Sequence, residues 1–307
     1  MTFQTPTAYA QPERRIGFRR SNGAVRFRAR QGDAIPLEQL AALAPSVFAD
    51  GRHESRSDRY TFIDTRAVLQ GLIAEGFVPV GVQQGGSRIE GKRDFTKHVI
   101  QLRHRRQFEQ PVTDRRVGDL FPEISLGNSH DGTSAYVLSL DLFRLVCLNG
   151  MTVNDATVER VKVPHKGDVG GQIIEGAFRV IEQAPAVIDA ADQMAGLALT
   201  GPERHAFAAA ARELRWTAEE APIEPLALLA PRRNGDAGAD LWRTFNVAQE
   251  HLIRGGDRYV HTSTDDAGRE RRSVRQTGEV RSIDQSAAIN RALWTLGEEM
   301  RRLKAAA

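Results

Sequence analysis

The chain has 307 residues, of which 41% are apolar and 26% charged, with a formal net charge of only +3. That is enough apolar content for a packed core in one large domain or two ordinary ones. No apolar run nears the roughly 20 residues a membrane helix needs, the single Cys147 excludes an internal disulfide framework, and no membrane partner is expected.

Residues 1–55 read as a basic, loosely ordered arm. FRRSNGAVRFRARQGDAIP is rich in arginine, with one apolar stretch from Pro36 to Phe48. The start, MTFQTPTAYAQPERR, holds no apolar leader, so a reducing, cytoplasmic setting is expected. An α+β core is expected over 56–165. Asp64 or Thr65 caps a helix reaching Glu75, with Val68, Leu69, Leu72 and Ile73 on one face and Gly76 as the stop. FVPVGVQ is a strand whose Val78, Val80 and Val82 alternate onto one buried face.

A second strand spans Thr96–Phe108. His98, Ile100, Leu102 and His104 share one face of it; Lys97, Val99, Gln101, Arg103 and Arg105 share the other. EISLGNS is a third strand, Asp131-Gly132 a hairpin turn and SAYVLSL its partner. From Ser139 the spacing of Leu142, Leu145, Val146 and Leu148 predicts a helix, capped by Ser139 or Asp141 and ended by Asn149-Gly150.

Residues 166–307 read as mainly helical after a short strand in VERVKVP. Helical composition covers Val169–Val187 and Ala190–Leu199, and Thr200 with Glu203 forms a capping box. APIEPLALLAPRRNGDAGA is a linker, and LWRTFNVAQEHLIRGG is a helix stopped by Gly255-Gly256. An arginine-rich loop, 254–281, follows. The last helix carries a seam of Ile289, Leu293, Leu296, Met300 and Leu303, suited to a helix of this chain or of a neighbouring subunit. The fold class expected is α+β: an antiparallel meander flanked by helices, then a mainly helical half.

No P-loop, GxGxxG, GxSxG or HExxH is present, so no cofactor or catalytic residue is assigned. Cys147 falls within an apolar helical pattern and reads as a buried structural thiol. His98, His104, His130 and Asp131 lack the tight spacing of a zinc site. Asn128, His130 and Asp131 form a candidate polar site. The nucleic-acid signal is local: Lys92, Arg93, Lys97, Arg103, Arg105 and Arg106 on and before the second strand, with Arg271, Arg272 and Arg275 later. Phe95, Phe108 and Phe121 are either stacking platforms or core.

NSHDGTSAYVLSLDLFRLVCLNGM, LWRTFNVAQEHLIRGG and INRALWTLGEEM resemble the phage- and plasmid-borne family catalogued as domain of unknown function 932. The resemblance covers roughly Tyr60 to Met300. It implies a mobile-element setting beside antirestriction and DNA-repair genes, and supplies no catalytic residues. The expected order helix, antiparallel strands, helix also resembles single-strand annealing proteins of the Red-beta and RecT kind, as a likeness of topology alone. Together these lead to an expected function: non-catalytic binding of single-stranded DNA, assisting annealing, by a homo-oligomeric ring or filament. The alternatives are a protein-interaction, anti-defence factor and a metal-dependent nuclease or hydrolase built on His130 and Asp131.

Overall fold

The computed structural model of the chain describes residues 17–19, 24–29, 33–56, 60, 62–106, 120–144, 149–152, 161–162, 169–265 and 268–306. Within them an antiparallel sheet runs as a meander. β1 (Gly17–Arg19), β2 (Val25–Arg28), β3 (Phe77–Gln84), β4 (His98–His104), β5 (Leu120–Asn128), β6 (Val137–Arg144) and β7 (Asn149–Thr152) lie side by side in chain order. β8 (Val161–Lys162) pairs with the start of β6. The expected α+β class, meander first and helices after, is what the chain adopts.

The segment expected to be a loose arm contributes β1, β2 and helix α1 (Leu37–Leu43). Its arginines hide a strand alternation. Val25 and Phe27 pair with Gln84 and Val82 on one face, while Arg26 and Arg28 point to the other. Helix α2 (Thr65–Ala74) starts as expected, with Asp64 accepting from Arg66 N at 2.8 Å and Ala67 N at 3.3 Å. In β3 the register slips between Pro79 and Gly81. Pro79 has no N–H to give the ladder, and the bulge absorbs that defect.

Helix α2 packs on β3, and α3 (Val169–Glu182) packs on α2, β5 and β6. They cover the face bearing Ile100, Leu102, Ile124, Leu126, Leu138, Leu140 and Leu142, all buried. A fully buried Leu or Ile contributes about 1.5–3 kcal/mol, so this layer carries much of the fold.

The helix expected from Ser139 is instead strand β6. LSLDLF satisfies a period of two as well as a helical spacing, and the sheet decides between them. Leu138, Leu140 and Leu142 meet Leu126, Ile124 and Pro122 across the ladder, and Ser139 and Asp141 meet Ser125 and Glu123 on the opposite face. Asn149-Gly150, the expected helix stop, lies in β7. Leu145, Val146, Cys147, Leu148 and Phe108 lie outside the described residues.

The C-terminal half packs α4 (Ala184–Gly196), α5 (Gly201–Glu213), α6 (Leu241–Arg254) and α7 (Ile283–Ala305) together. Phe245 stacks on Trp242 at 5.7 Å and meets Trp294 edge-on at 6.1 Å. The α7 seam is spent inside this chain: Ile289 and Leu293 are buried against it, Leu296 and Met300 partly so, and only Leu303 is exposed. No helix among the described residues is long and apolar enough to cross a membrane. The stretch expected as an arginine-rich loop holds two strands, β9 (Arg258–Thr264) and β10 (Glu270–Gln276), paired only with each other.

Candidate nucleic-acid interface

The expected cationic face of β4 is not a surface. Gln101, Arg103, Glu123, Ser125 and Asp141 on that side of the sheet are all buried. Arg103 is 3% exposed and Glu123 fully buried. Arg103 reaches Glu123 Oε1 at 2.5 Å, and Arg28 donates to the same oxygen. Phenyl rings complete the set: Arg28 lies 3.4 Å over Phe143 and Arg103 4.1 Å over Phe121. Arg103 is therefore a core ion pair, unavailable to phosphate, and Phe121 is its packing partner, not a stacking platform. The sequence pattern shows an alternation but not whether the second face is covered.

The other basic residues separate. Lys97 lies at the β3–β4 turn and is paired with Asp284 at the start of α7. Lys92 pairs with Asp131 at 3.3 Å, and Arg93 is half-buried in a short 3-10 turn. Arg105 and Arg106 are exposed just beyond the far end of β4. At about 3.4 Å per residue the strand keeps the two groups over 20 Å apart. Phe95 is half-buried, its ring 5.3 Å from His53.

Asn128 and His130 of NSHDG converge on one hydroxyl. Thr65 Oγ1 accepts from Asn128 Nδ2 at 3.0 Å and lies 3.4 Å from both His98 Nε2 and His130 Nε2. The rings of His98 and His130 are 5.3 Å apart. Burial, then the proximity of the other imidazole, lowers His98 to about 3. Burial also lowers His130, to about 4, against the pull of Asp64. Both are neutral at ordinary pH. His98 Nδ1 faces the Thr96 carbonyl at 3.3 Å and so carries the hydrogen, leaving Nε2 to accept from Thr65. Asp131 turns away from this cluster: burial raises its carboxyl, but hydrogen bonds from Thr133 and the Lys92 ammonium hold it below the usual range. His104 faces Glu75 O at the opposite end of the strand. Of the four residues weighed for a metal, His98 and His130 meet at Thr65, while Asp131 is engaged by Thr133 and Lys92 and His104 lies at the far end of the strand. His130 instead links segments through its backbone, with its N–H on Phe95 O and its carbonyl taken by His53 N.

What stands open is the β9–β10 ribbon. All seven residues of β10 are exposed, and in β9 only Tyr259 and His261 are half-buried. The register sets two faces. Outward lie Arg258 beside Gln276, Val260 beside Val274, and Thr262 beside Arg272; toward the body lie Tyr259 beside Arg275, His261 beside Ser273, and Ser263 beside Arg271. Val260 is 64% and Val274 71% exposed. Arg271 meets Asp265 at 3.4 Å. Arg258, Arg272 and Arg275 have no acidic partner among the described residues.

An isolated two-stranded ribbon is marginal in water, and this one is held at its foot. Gly256 N and Thr277 O meet at 2.8 Å, and Thr277 N and Asp257 O at 2.9 Å. Asp257 accepts from His251 Nδ1 at 2.5 Å and from Arg232 at 3.0 Å. Burial raises its carboxyl, but these two partners hold it below the usual value. Arg215 ties the end of α6 to the ribbon's exit through the Leu252 and Gly278 carbonyls. Gly255 sits at φ +62°, ψ −149°, a region reserved for glycine. The LIRGG end of the second signature block thus builds a rigid socket. Half of the hairpin is legible: RYVHTST is rich in strand formers and Asp-Asp-Ala-Gly signals a turn, but ERRSVRQ has only Val274 to mark it as a strand.

A family model described as Domain of unknown function (DUF932) matches residues 52–294. Two Escherichia coli (strain K12) proteins, UPF0380 protein YafZ and UPF0380 protein YfjQ, are each 40% identical over 272 residues, covering 88% of this chain and 93% of theirs. No solved structure matches the chain.

Proposed function

This chain belongs to the Domain of unknown function (DUF932) family, and from that premise we propose that it binds single-stranded DNA without catalysis and assists strand annealing for a mobile element. One observation carries the reading: a ribbon anchored at its foot by Tyr259 and the socket projects with arginines on both faces. Guanidinium groups without acidic partners attract phosphate, and each neutralised phosphate releases counterions. The body-side face sets the half-buried His261 ring between Arg271 and Arg275, with Tyr259 at the foot packed partly against the core. Aromatic rings beside cations suit unpaired bases, because every base has a face to stack. Side-by-side copies in a ring or filament would align successive ribbons along one strand.

The test is fluorescence anisotropy with a labelled single strand at rising salt, alongside the annealing rate of complementary strands. Affinity should fall steeply with salt, and R271A/R275A should weaken it about tenfold. Absence of binding at low salt would overturn the reading. Binding without faster annealing would leave DNA binding alone.

A further inference from the structure

We infer that the outward face of the β9–β10 ribbon is built to lie in the major groove of B-form duplex DNA, giving the protein a second nucleic-acid ligand: the product of the annealing proposed above. The inference rests on that reading only for its biological setting; its geometry is independent of it.

The two faces of the ribbon differ in chemistry. From foot to tip the outward face presents Arg258 with Gln276, then Val260 with Val274, then Arg272 with Thr262. The two arginines stand on opposite strands and straddle the valine pair. They are four residues apart along the ribbon, about 13 Å, with one at each edge. Neither has an acidic partner among the described residues. The outward face ends at the tip with Thr264 beside Glu270, where the sequence also has Asp265 and Asp266; at the foot Asp257 is already engaged by His251 and Arg232.

Size decides which groove fits. Two strands about 4.8 Å apart, with side chains, match a major groove about 12 Å wide, whereas the B-form minor groove, about 6 Å wide, is too narrow. Seven residues reach roughly 23 Å from the socket, enough to follow the groove floor for several base pairs. Arginines at the two edges then face the two phosphate walls or guanine edges. The valine pair explains why the floor is met. Two apolar side chains more than 60% exposed at the middle of a polar ribbon are poorly solvated alone. Thymine methyl groups on the major-groove floor are the apolar partner a duplex provides. A single strand offers no such walled floor. A duplex of RNA has a major groove too deep and narrow to enter.

The experiment uses the full chain and three ligands of one sequence: a T-rich DNA duplex, the corresponding RNA duplex and the DNA single strand. The DNA duplex should bind at least about tenfold tighter than the RNA duplex. R258A/R272A should weaken duplex binding about tenfold and flatten its salt slope by nearly two charges. V260S/V274S should weaken it about threefold with the salt slope unchanged. R271A/R275A, on the opposite face, should act mainly on the single strand. Equal affinity for both duplexes, or duplex binding indifferent to the outward-face variants, would overturn the inference. The DNA-against-RNA comparison uses the unmodified chain and needs no variant to fold. Loss of single-strand binding with the duplex pattern intact would instead sink the function proposed above and leave this inference standing.

Discussion

Thr65 shows how one hydroxyl organises a buried neighbourhood. It holds Asn128 and stands between two neutral imidazoles, His98 and His130. In the unfolded chain both titrate near 6.5; folded, they titrate at about 3 and about 4. Protons therefore bind the unfolded state preferentially, and stability is lost as pH falls from about 6.5 toward 4. Each histidine then costs about 1.4 kcal/mol per pH unit. Urea unfolding at pH 7.5, 6 and 5 should show this loss, and His98→Gln should flatten it; a midpoint constant down to pH 5 would contradict the assignment. The Arg28–Glu123–Arg103 set makes a second residue-scale prediction. Glu123→Gln leaves two guanidinium groups without their buried counter-charge, at a cost of about 3–5 kcal/mol. Lys97→Ala breaks a pair whose Asp284 is largely in water and should change stability by under about 1 kcal/mol. Chemical denaturation of the two variants side by side checks the contrast. Alternation alone made Arg103 and Lys97 look equivalent; a covered second sheet face separates them.

At the scale of elements, the ribbon and its socket behave as arm and shoulder. A Cβ on Gly255 would lie 2.3 Å from the Gly278 carbonyl, on a backbone that other residues avoid. Gly255→Ala should cost about 2 kcal/mol or more in denaturation and speed proteolytic cutting near the ribbon tip, because the socket must open to admit the methyl. Replacing 258–276 by a short glycine-serine turn should leave the melting temperature nearly unchanged, since the ribbon contributes little to the core, while nucleic-acid binding falls to background. Melting that drops by tens of degrees would show the ribbon to be part of the core instead. The strand β6 is the complementary case. Its leucines fit two periodicities, and only the neighbour β5 resolves them.

For the whole molecule, the meander and helical half form a platform whose sequence signatures are mostly internal. Asn128 and His130 serve the Thr65 cluster, and nearly every residue of α6 is buried, including Gln249 on Asn290 and Glu250 on Arg233. Truncation before Ile283 would expose Phe245 and lose Trp294, so the shortened chain should not melt cooperatively by calorimetry. The amino-acid order by itself determined the α+β class, the cap at Thr200, a cap for α2 at Asp64 or Thr65, and the buried stripes of α2, α6 and α7, because period and capping are local properties. Only the tertiary structure decided that β6 is a strand, that Arg103 is buried and that the arginine-rich stretch is a ribbon exposed beyond its foot. Those outcomes depend on which surfaces are covered, and coverage is set by residues far apart in the chain.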